Sequence, residues 1–307
     1  MSGTSGEAIV AAVRRVLSVR GPMAEDDLLG VLDADGIDLG PDPDVMLADV
    51  LDQDAELVMP LADERWAWIP AVLGGRIFTH RLSAVEAAHD IIVLDPDLAP
   101  LSTLTECETY RRLTDGSPIA EVSAFLDGDV LAARGVPETA VDGDGVLLLR
   151  PGRFAALGVA AGDLVGLRVT AHGFELVAVA QPTRCDIGAA LAALLEKRPD
   201  RPEMLDVAVA VWTVCAGDDN VFREAAPPLG DLLVASGLAY DGDWVARSGF
   251  DFDAWRVAGG IETIEERYQL DDDEALAVLV TVRLYEQILD VVEAVMTAQD
   301  SGEHELA

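Results

Sequence analysis

Lysine is almost absent from this chain of 307 residues: Lys197 is the only lysine among 21 basic residues, and the others are arginines. Against these stand 56 acidic residues, so the formal charge is −35 at pH 7 and the isoelectric point is near 4.1. A field of this sign repels phosphate backbones and anionic membrane surfaces. The composition therefore excludes a general nucleic-acid coat protein.

Cysteine is also scarce. Cys107, Cys185 and Cys215 are widely spaced and form no C-x-x-C pair, which fits neither a disulfide framework nor a zinc knuckle. Met1 to Gly6 shows no readable signal peptide, and the most apolar stretches are too short or too interrupted by charge to span a bilayer. These absences predict a cytoplasmic protein without a membrane partner.

Motifs with catalytic or ligand-binding spacing are missing as well. The four histidines form no H-x-x-x-H or H-E-x-x-H pattern, and no nucleotide-binding glycine loop or G-x-S-x-G elbow occurs. Pairs such as Asp142 and Asp144 are expected by chance in so acidic a chain. We therefore expect these carboxylates to lie on the solvated surface and not to act as general acids or bases. The sequence predicts no catalytic residue, no metal and no cofactor, and leaves an enzyme only as a site assembled in space.

Half of the residues are hydrophobic, which is enough for two or three cores. Near the N-terminus, apolar residues recur at helical spacing in three runs, at Glu7–Val19, Ala24–Leu32 and Asp44–Leu51. Two short extended runs follow, at Glu56–Pro60 and Arg65–Pro70. Three helices followed by a hairpin predict a winged helix in residues 1–72.

The string IVAAVRRVLSVRGPMAEDDLLGVLDADG, continued by PDPDVMLADVLDQDAELVMPLADERWAWIP, resembles the HARE-type winged helix-turn-helix domain. This module stands at the N-terminus of the bacterial RNA polymerase delta subunit. The resemblance covers about the first 70 residues and rests on Gly21-Pro22-Met23, Leu28-Leu29, Trp66 and Trp68. These are mostly core positions, so it implies the fold more than the function. The function that it implies is a DNA-associated or polymerase-associated role.

The sequence pattern predicts three further regions after residue 72. Residues 73–135 predict a connector region, with strands at Arg76–His80 and Asp90–Leu94, and residues 136–182 predict a small β-rich domain. Residues 183–307 predict a helical domain with a helix at Met204–Ala216, and a helix and hairpin over 229–248 allow a second winged-helix-like unit. A long helix predicted from Asp271 to Ala298 is apolar on more than one stripe and allows a homo-oligomer. The predicted fold class is therefore α+β.

For DNA binding, the decisive residues are those of the third predicted helix, which carries Asp44 and Asp49 and no Lys or Arg. Such a helix cannot neutralise phosphates, so DNA binding is expected to be weak or absent. The candidate nucleic-acid contacts lie instead on the first helix and the wing, at Arg14, Arg15, Arg20 and Arg65.

The sequence favours a non-enzymatic interaction or regulatory protein in a transcription-associated role. Its acidic surface would meet a basic protein or protein complex. The first alternative is a DNA-binding transcriptional regulator, and the second is an enzyme of unknown class.

Overall fold

A computed structural model describes residues 6–53, 57–122, 128–133, 135–136, 145–197, 204–257 and 280. The chain divides into two compact units, residues 1–249 and residues 250–307. In the second unit a helix spans 252–257, and the Asp251 side chain accepts a hydrogen bond from the Ala254 amide at 2.9 Å. The predicted helix Asp271–Ala298 lies outside the described residues except for position 280. No helix among the described residues is both long and apolar enough to cross a membrane.

The N-terminal part of the first unit forms three helices and a hairpin. Their bounds are α1 Gly6–Arg20, α2 Glu25–Ala34, α3 Pro43–Gln53, β1 Val58–Pro60 and β2 Trp66–Trp68. The two strands pair antiparallel, with Met59 opposite Ala67. Met23, between α1 and α2, exchanges two backbone hydrogen bonds with Trp66, of 3.1 and 2.9 Å. The hairpin therefore gains a third strand position.

These elements enclose a core of their own. Apolar residues three and four positions apart on α1 face inward, as an amphipathic helix requires. The buried residues of this core are Ile9, Ala12, Val13, Val16, Leu17, Leu28, Leu32, Leu39, Leu47, Val50, Leu51 and Val58. Trp66 and Trp68 pack against it, while Ala67 between them belongs to the larger core of the unit. Successive side chains of β2 point to opposite faces of the strand, so β2 lies between the two cores and contacts both.

The middle of the unit consists of two three-stranded antiparallel sheets and short helices. The helices are α4 Ile69–Leu73, α5 Ala84–His89, α6 Ala99–Glu106, α7 Gly128–Ala133 and α8 Arg153–Leu157, with 3-10 turns at Pro96–Leu98 and Glu108–Tyr110. The strands are β3 Ile77–Arg81, β4 Ile91–Val93, β5 Ala120–Val122, β6 Val146–Leu148, β7 Leu164–Thr170 and β8 Gly173–Val179.

The strand order is β3-β7-β8 in one sheet and β4-β6-β5 in the other. Each sheet combines strands from both sides of residue 135. The boundary predicted between residues 135 and 136 therefore runs through both sheets, because strands distant in sequence supply each other's backbone hydrogen bonds.

The last part of the unit again combines helices with a small sheet. The bounds are α9 Ile187–Glu196, β9 Met204–Asp206, α10 Val207–Gly217, α11 Leu229–Ala235, β10 Ala239–Tyr240 and β11 Trp244–Ala246. The prediction of a helix from Met204 is wrong for its first three residues, which pair with β11. An apolar run does not by itself distinguish a buried strand from a buried helix. The helix begins after Asp206, whose side chain accepts a hydrogen bond from the Val209 amide at 3.0 Å.

One order of elements occurs twice. The sequence α1, Met23, α2, α3, β1 and β2 is matched by α9, β9, α10, α11, β10 and β11. In both copies the last strand is central, flanked by its hairpin partner and by the extended residues that precede the second helix. The copies differ in burial, because α10 is buried on nearly every side whereas α2 and α3 each expose a face.

Arg76 connects the middle of the unit to the end of α10, although only 1% of its surface is exposed. Its guanidinium donates hydrogen bonds to the carbonyl oxygens of Val72, Cys215, Asp218, Asp219 and Val221. Helix ends leave carbonyls without partners, and a charged donor satisfies several of them at once. Burial lowers the pKa of Arg76 from its ordinary value. The side chain therefore acts as an internal clamp between α4 and the end of α10 with the loop after it.

Candidate functional site

The outer face of α3 combines carboxylates with exposed apolar side chains. Asp44, Val45, Met46 and Asp49 all face solvent, with Val45 62% and Met46 38% exposed. Val45 and Asp49 are four residues apart and therefore lie on the same side of the helix. Residues 21–64 contain no Lys, Arg or His. These four side chains, called here the α3 face, form an acidic surface with an apolar centre.

A groove of about 330 Å³ lies between α2 and the start of α3, where Pro43, the residue before Asp44, lines it. Its lining residues are Leu29, Gly30, Asp33, Ile37, Asp38, Leu39, Gly40 and Pro43. The apolar side chains Leu29, Ile37 and Leu39 are buried or half-buried, whereas Asp33 and Asp38 are exposed. The α2–α3 groove therefore has an apolar floor and an acidic rim.

The turn after α2 shapes this groove. Gly36 adopts a left-handed conformation with φ of 74°, as glycine commonly does after a helix. The Ile37 amide then donates to the Leu32 carbonyl at 3.0 Å, which brings Ile37 back against the helix. The Asp38 side chain accepts a hydrogen bond from the Gly40 amide at 3.0 Å and fixes the next turn.

Gly30 leaves one wall of the groove open. It lies inside α2, where glycine costs about 1 kcal/mol relative to alanine. No heavy atom lies within 4 Å of the position that a Cβ would occupy. Packing does not require a glycine at this position, and the space that a side chain would fill belongs to the groove.

The structure places the four predicted nucleic-acid contacts on α1 and at the hairpin. Arg15 lies 3.8 Å from Asp35, and Arg65 lies 2.7 Å from Asp63. Arg14 is half-buried on α1 and Arg20 is exposed in its last turn. Two of these cations therefore already have carboxylate neighbours, which weakens their attraction for phosphate.

A second polar group is buried in the middle of the unit. His80 on β3 is 5% exposed, and its Nε2 lies 2.7 Å from Oε1 of Glu86. Its Nδ1 faces Oδ2 of Asp95 at 3.6 Å. Glu86 also accepts hydrogen bonds from the amides of Ser83 and Val93, at 2.7 and 2.8 Å. The group therefore joins β3, α5 and β4.

In this group, burial and the neighbouring charges shift the pKa values of His80 and Glu86 in opposite directions. Burial by itself lowers the pKa of His80, but the hydrogen bond and charge of Glu86, together with the charges of Asp95 and Asp97, outweigh it and raise the pKa overall. Burial raises the pKa of Glu86, but the hydrogen bond and charge of His80 and two backbone hydrogen bonds lower it overall. Both shifts favour a charged pair. Burial raises the pKa values of Asp95 and Asp97.

Two of the three cysteines, Cys185 and Cys215, show no activation. Cys185 is half-buried in a cleft of about 330 Å³ with Arg184 and Arg223. Burial raises the pKa of Cys185, and it raises that of Cys215 to about 12. Because a cysteine nucleophile reacts as the thiolate, both thiols are poor nucleophiles at neutral pH. In the described ranges, no group of three or more His, Cys, Asp or Glu side chains is placed to hold a metal ion.

The groove and the buried ion pair were not among the predicted site residues. A glycine inside an apolar-periodic run, as at Gly30, is a signal that could have indicated the groove. Ser83 followed three residues later by Glu86 marks a capping box and so a helix start. Its contact with His80 depends on how β3 packs against α5, which spacing alone does not determine.

Comparison of the chain with protein-family models, with curated proteins and with solved structures found no match. The function is therefore inferred from the residues of the α3 face and the α2–α3 groove themselves.

Proposed function

We propose that this is a non-enzymatic interaction or regulatory protein whose α3 face binds a basic protein. The observation that carries the proposal is the composition of that face. Val45 and Met46 are exposed between Asp44 and Asp49, in a stretch of 44 residues without any cationic side chain. A partner with arginines or lysines around an apolar patch would complement both properties.

The proposal includes the fold of residues 1–72 as a HARE-type winged helix. Three helices precede an antiparallel hairpin, and Met23 adds the strand position between the first two helices. This order supports the resemblance of the sequence. The resemblance adds the setting that we propose, which is a partner within the transcription machinery of the cytoplasm.

The acidic exposed side of α3 fits protein binding better than sequence-specific DNA binding. In helix-turn-helix domains the recognition helix enters the major groove, and cations around it neutralise phosphates. Here Asp44 and Asp49 occupy the exposed side of that helix, and Arg15 and Arg65 have acidic neighbours. Phosphates near α3 would meet carboxylates at short range, which costs binding energy.

Site-specific crosslinking tests the proposal in the full chain. A photo-crosslinking amino acid at Val45 is expected to capture a protein whose crosslinked segment is rich in Arg or Lys. The same amino acid at Ala11, an exposed position on α1, is the matched control. Adding Asp44→Lys and Asp49→Lys to the Val45 probe should abolish the crosslink, because the attraction is reversed. Equal capture at both positions, or capture of DNA at Val45, would contradict the proposal.

A further inference from the structure

We infer that the α2–α3 groove binds a short segment of the partner in which one aliphatic side chain stands between arginines or lysines. This inference rests on the proposed function and identifies the part of the partner that is recognised. The aliphatic side chain would enter the groove, and its basic neighbours would lie against Asp33 and Asp38.

The small size and apolar lining of the groove suit an aliphatic side chain of a partner. A volume of about 330 Å³ is at the lower end of the range for ligand pockets, about 300 to 1,000 Å³. The apolar residues Leu29, Ile37 and Leu39 line it without filling it. Water against these side chains is released when an aliphatic group covers them, which favours binding.

The rim selects the charge of the segment. Asp33 and Asp38 are exposed, and no cation among the described residues forms an ion pair with either. Asp38 is also held in place by the hydrogen bond from the Gly40 amide. Two exposed carboxylates at the edge of an apolar groove favour flanking arginines, which can donate to a carboxylate in a bidentate manner.

The same charges argue against an occupant from this protein. Residues 258–307 carry 13 acidic side chains and two arginines, so their own apolar run at 271–298 would bring further carboxylates to the rim. A second copy of the chain, at −35, meets the same repulsion. The complementary occupant is therefore a basic segment of another protein.

Gly30 provides a substitution that closes the groove without harming the fold. A side chain at this position meets no heavy atom within 4 Å at its Cβ, and replacing a helical glycine favours the helix. Gly30→Leu should therefore fill the groove and leave the melting temperature unchanged or higher. Ala34→Leu, at an exposed position of α2 outside the groove, is the matched control.

The probes are three fluorescein-labelled heptapeptides of one framework, titrated into the full chain by anisotropy. The first has Leu between two Arg pairs, the second has Ser in place of Leu, and the third has Glu in place of every Arg. The first is expected to bind at least about tenfold more tightly than the second, since burying one leucine contributes roughly that factor. It should also bind at least about tenfold more tightly than the third, because glutamates would be repelled by Asp33 and Asp38 at the rim. Gly30→Leu and Asp33→Asn should each weaken it at least about fivefold, whereas Ala34→Leu and Asp26→Asn should not.

Equal affinity of the Leu and Ser peptides, or no effect of Gly30→Leu, would overturn the inference. Failure of this inference is distinguishable from failure of the proposed function. Crosslinks from Val45 to a basic protein, together with no peptide selectivity, would reject the groove and retain the α3 face. Selective peptide binding without any crosslink from Val45 would support the groove and reject the α3 face.

Discussion

Oδ1 of Asp97 lies 2.6 Å from the backbone nitrogen of Gly230, although the two residues are 133 positions apart in the chain. Gly230 is in the first turn of α11, where helix amides lack partners within the helix. The residue before this helix is Pro228, which has no side-chain acceptor to offer. The segment after β4 therefore supplies the cap that α11 cannot supply itself.

Asp97→Ala is expected to lower the free energy of unfolding by about 1 to 2 kcal/mol, the cost of losing a helix cap. Asp97→Asn keeps an acceptor oxygen and should retain most of the stability that the cap contributes. Urea unfolding of the full chain measures the difference. Asp231→Ala, an exposed residue of the same helix turn, is the control, and an equal loss in both alanine variants would contradict the capping role.

The ion pair of His80 and Glu86 predicts a pH dependence of stability. The pKa of His80 is raised above its ordinary 6.5, so its contribution is complete below that pH and is lost as the pH rises through the raised pKa. The pKa of Glu86 is lowered below its ordinary 4.5, so its contribution is complete above that pH and is lost as the pH falls through the lowered pKa. The pair should contribute most between about pH 4.5 and 6.5.

The measurement is the difference in unfolding free energy between the natural protein and His80→Gln from about pH 4.5 to pH 8. This difference should be largest near pH 5 to 6 and should shrink toward pH 8. His172→Gln, at an exposed position, is the matched control. A difference that stays constant with pH would mean that His80 contributes by packing alone.

Arg76 predicts a large loss of stability. Arg76→Leu removes the donor for five carbonyl oxygens in a buried region and should cost at least about 3 kcal/mol. Arg76→Lys keeps the charge but cannot donate in the same fork, so an intermediate loss is expected. Thermal melting and urea unfolding of both variants measure this order, and a harmless Arg76→Leu would refute the clamp.

Much of the N-terminal architecture follows from local patterns. The three helical runs and the hairpin lie close to their predicted positions because apolar spacing and Gly21 mark them. The strand at Ile77–Arg81 likewise lies near its predicted range. The positions of these elements follow from the spacing of the apolar residues that must face a core.

The pairing of the middle strands could not be obtained in the same way. β3 pairs with β7, more than 80 residues later, and nothing in either strand specifies its partner. The α2–α3 groove has a local cause in the residues from Gly30 to Pro43. Its shape still depends on how α2 and α3 cross, which the apolar period leaves open.

Duplex DNA should bind the natural protein no better than it binds a neutral protein at physiological salt. The reason is that the carboxylates of α3 oppose counterion release. An anisotropy titration at two salt concentrations decides this. Micromolar binding that weakens steeply with salt would show that Arg14, Arg15, Arg20 and Arg65 outweigh the acidic helix.

The repeated order of elements occurs once with a helix buried on nearly every side and once with helices that expose a face, and the two differ in their tolerance of substitution. α10 is buried on nearly every side, so most polar substitutions there would bury a group without a partner. Substitutions at Val45 or Asp49 change the surface and leave the interior as it was. Substitutions in α10 are therefore limited by the interior that this helix fills, whereas the exposed side of α3 can change without disturbing a core. New partners can be acquired on α3 without any change of fold.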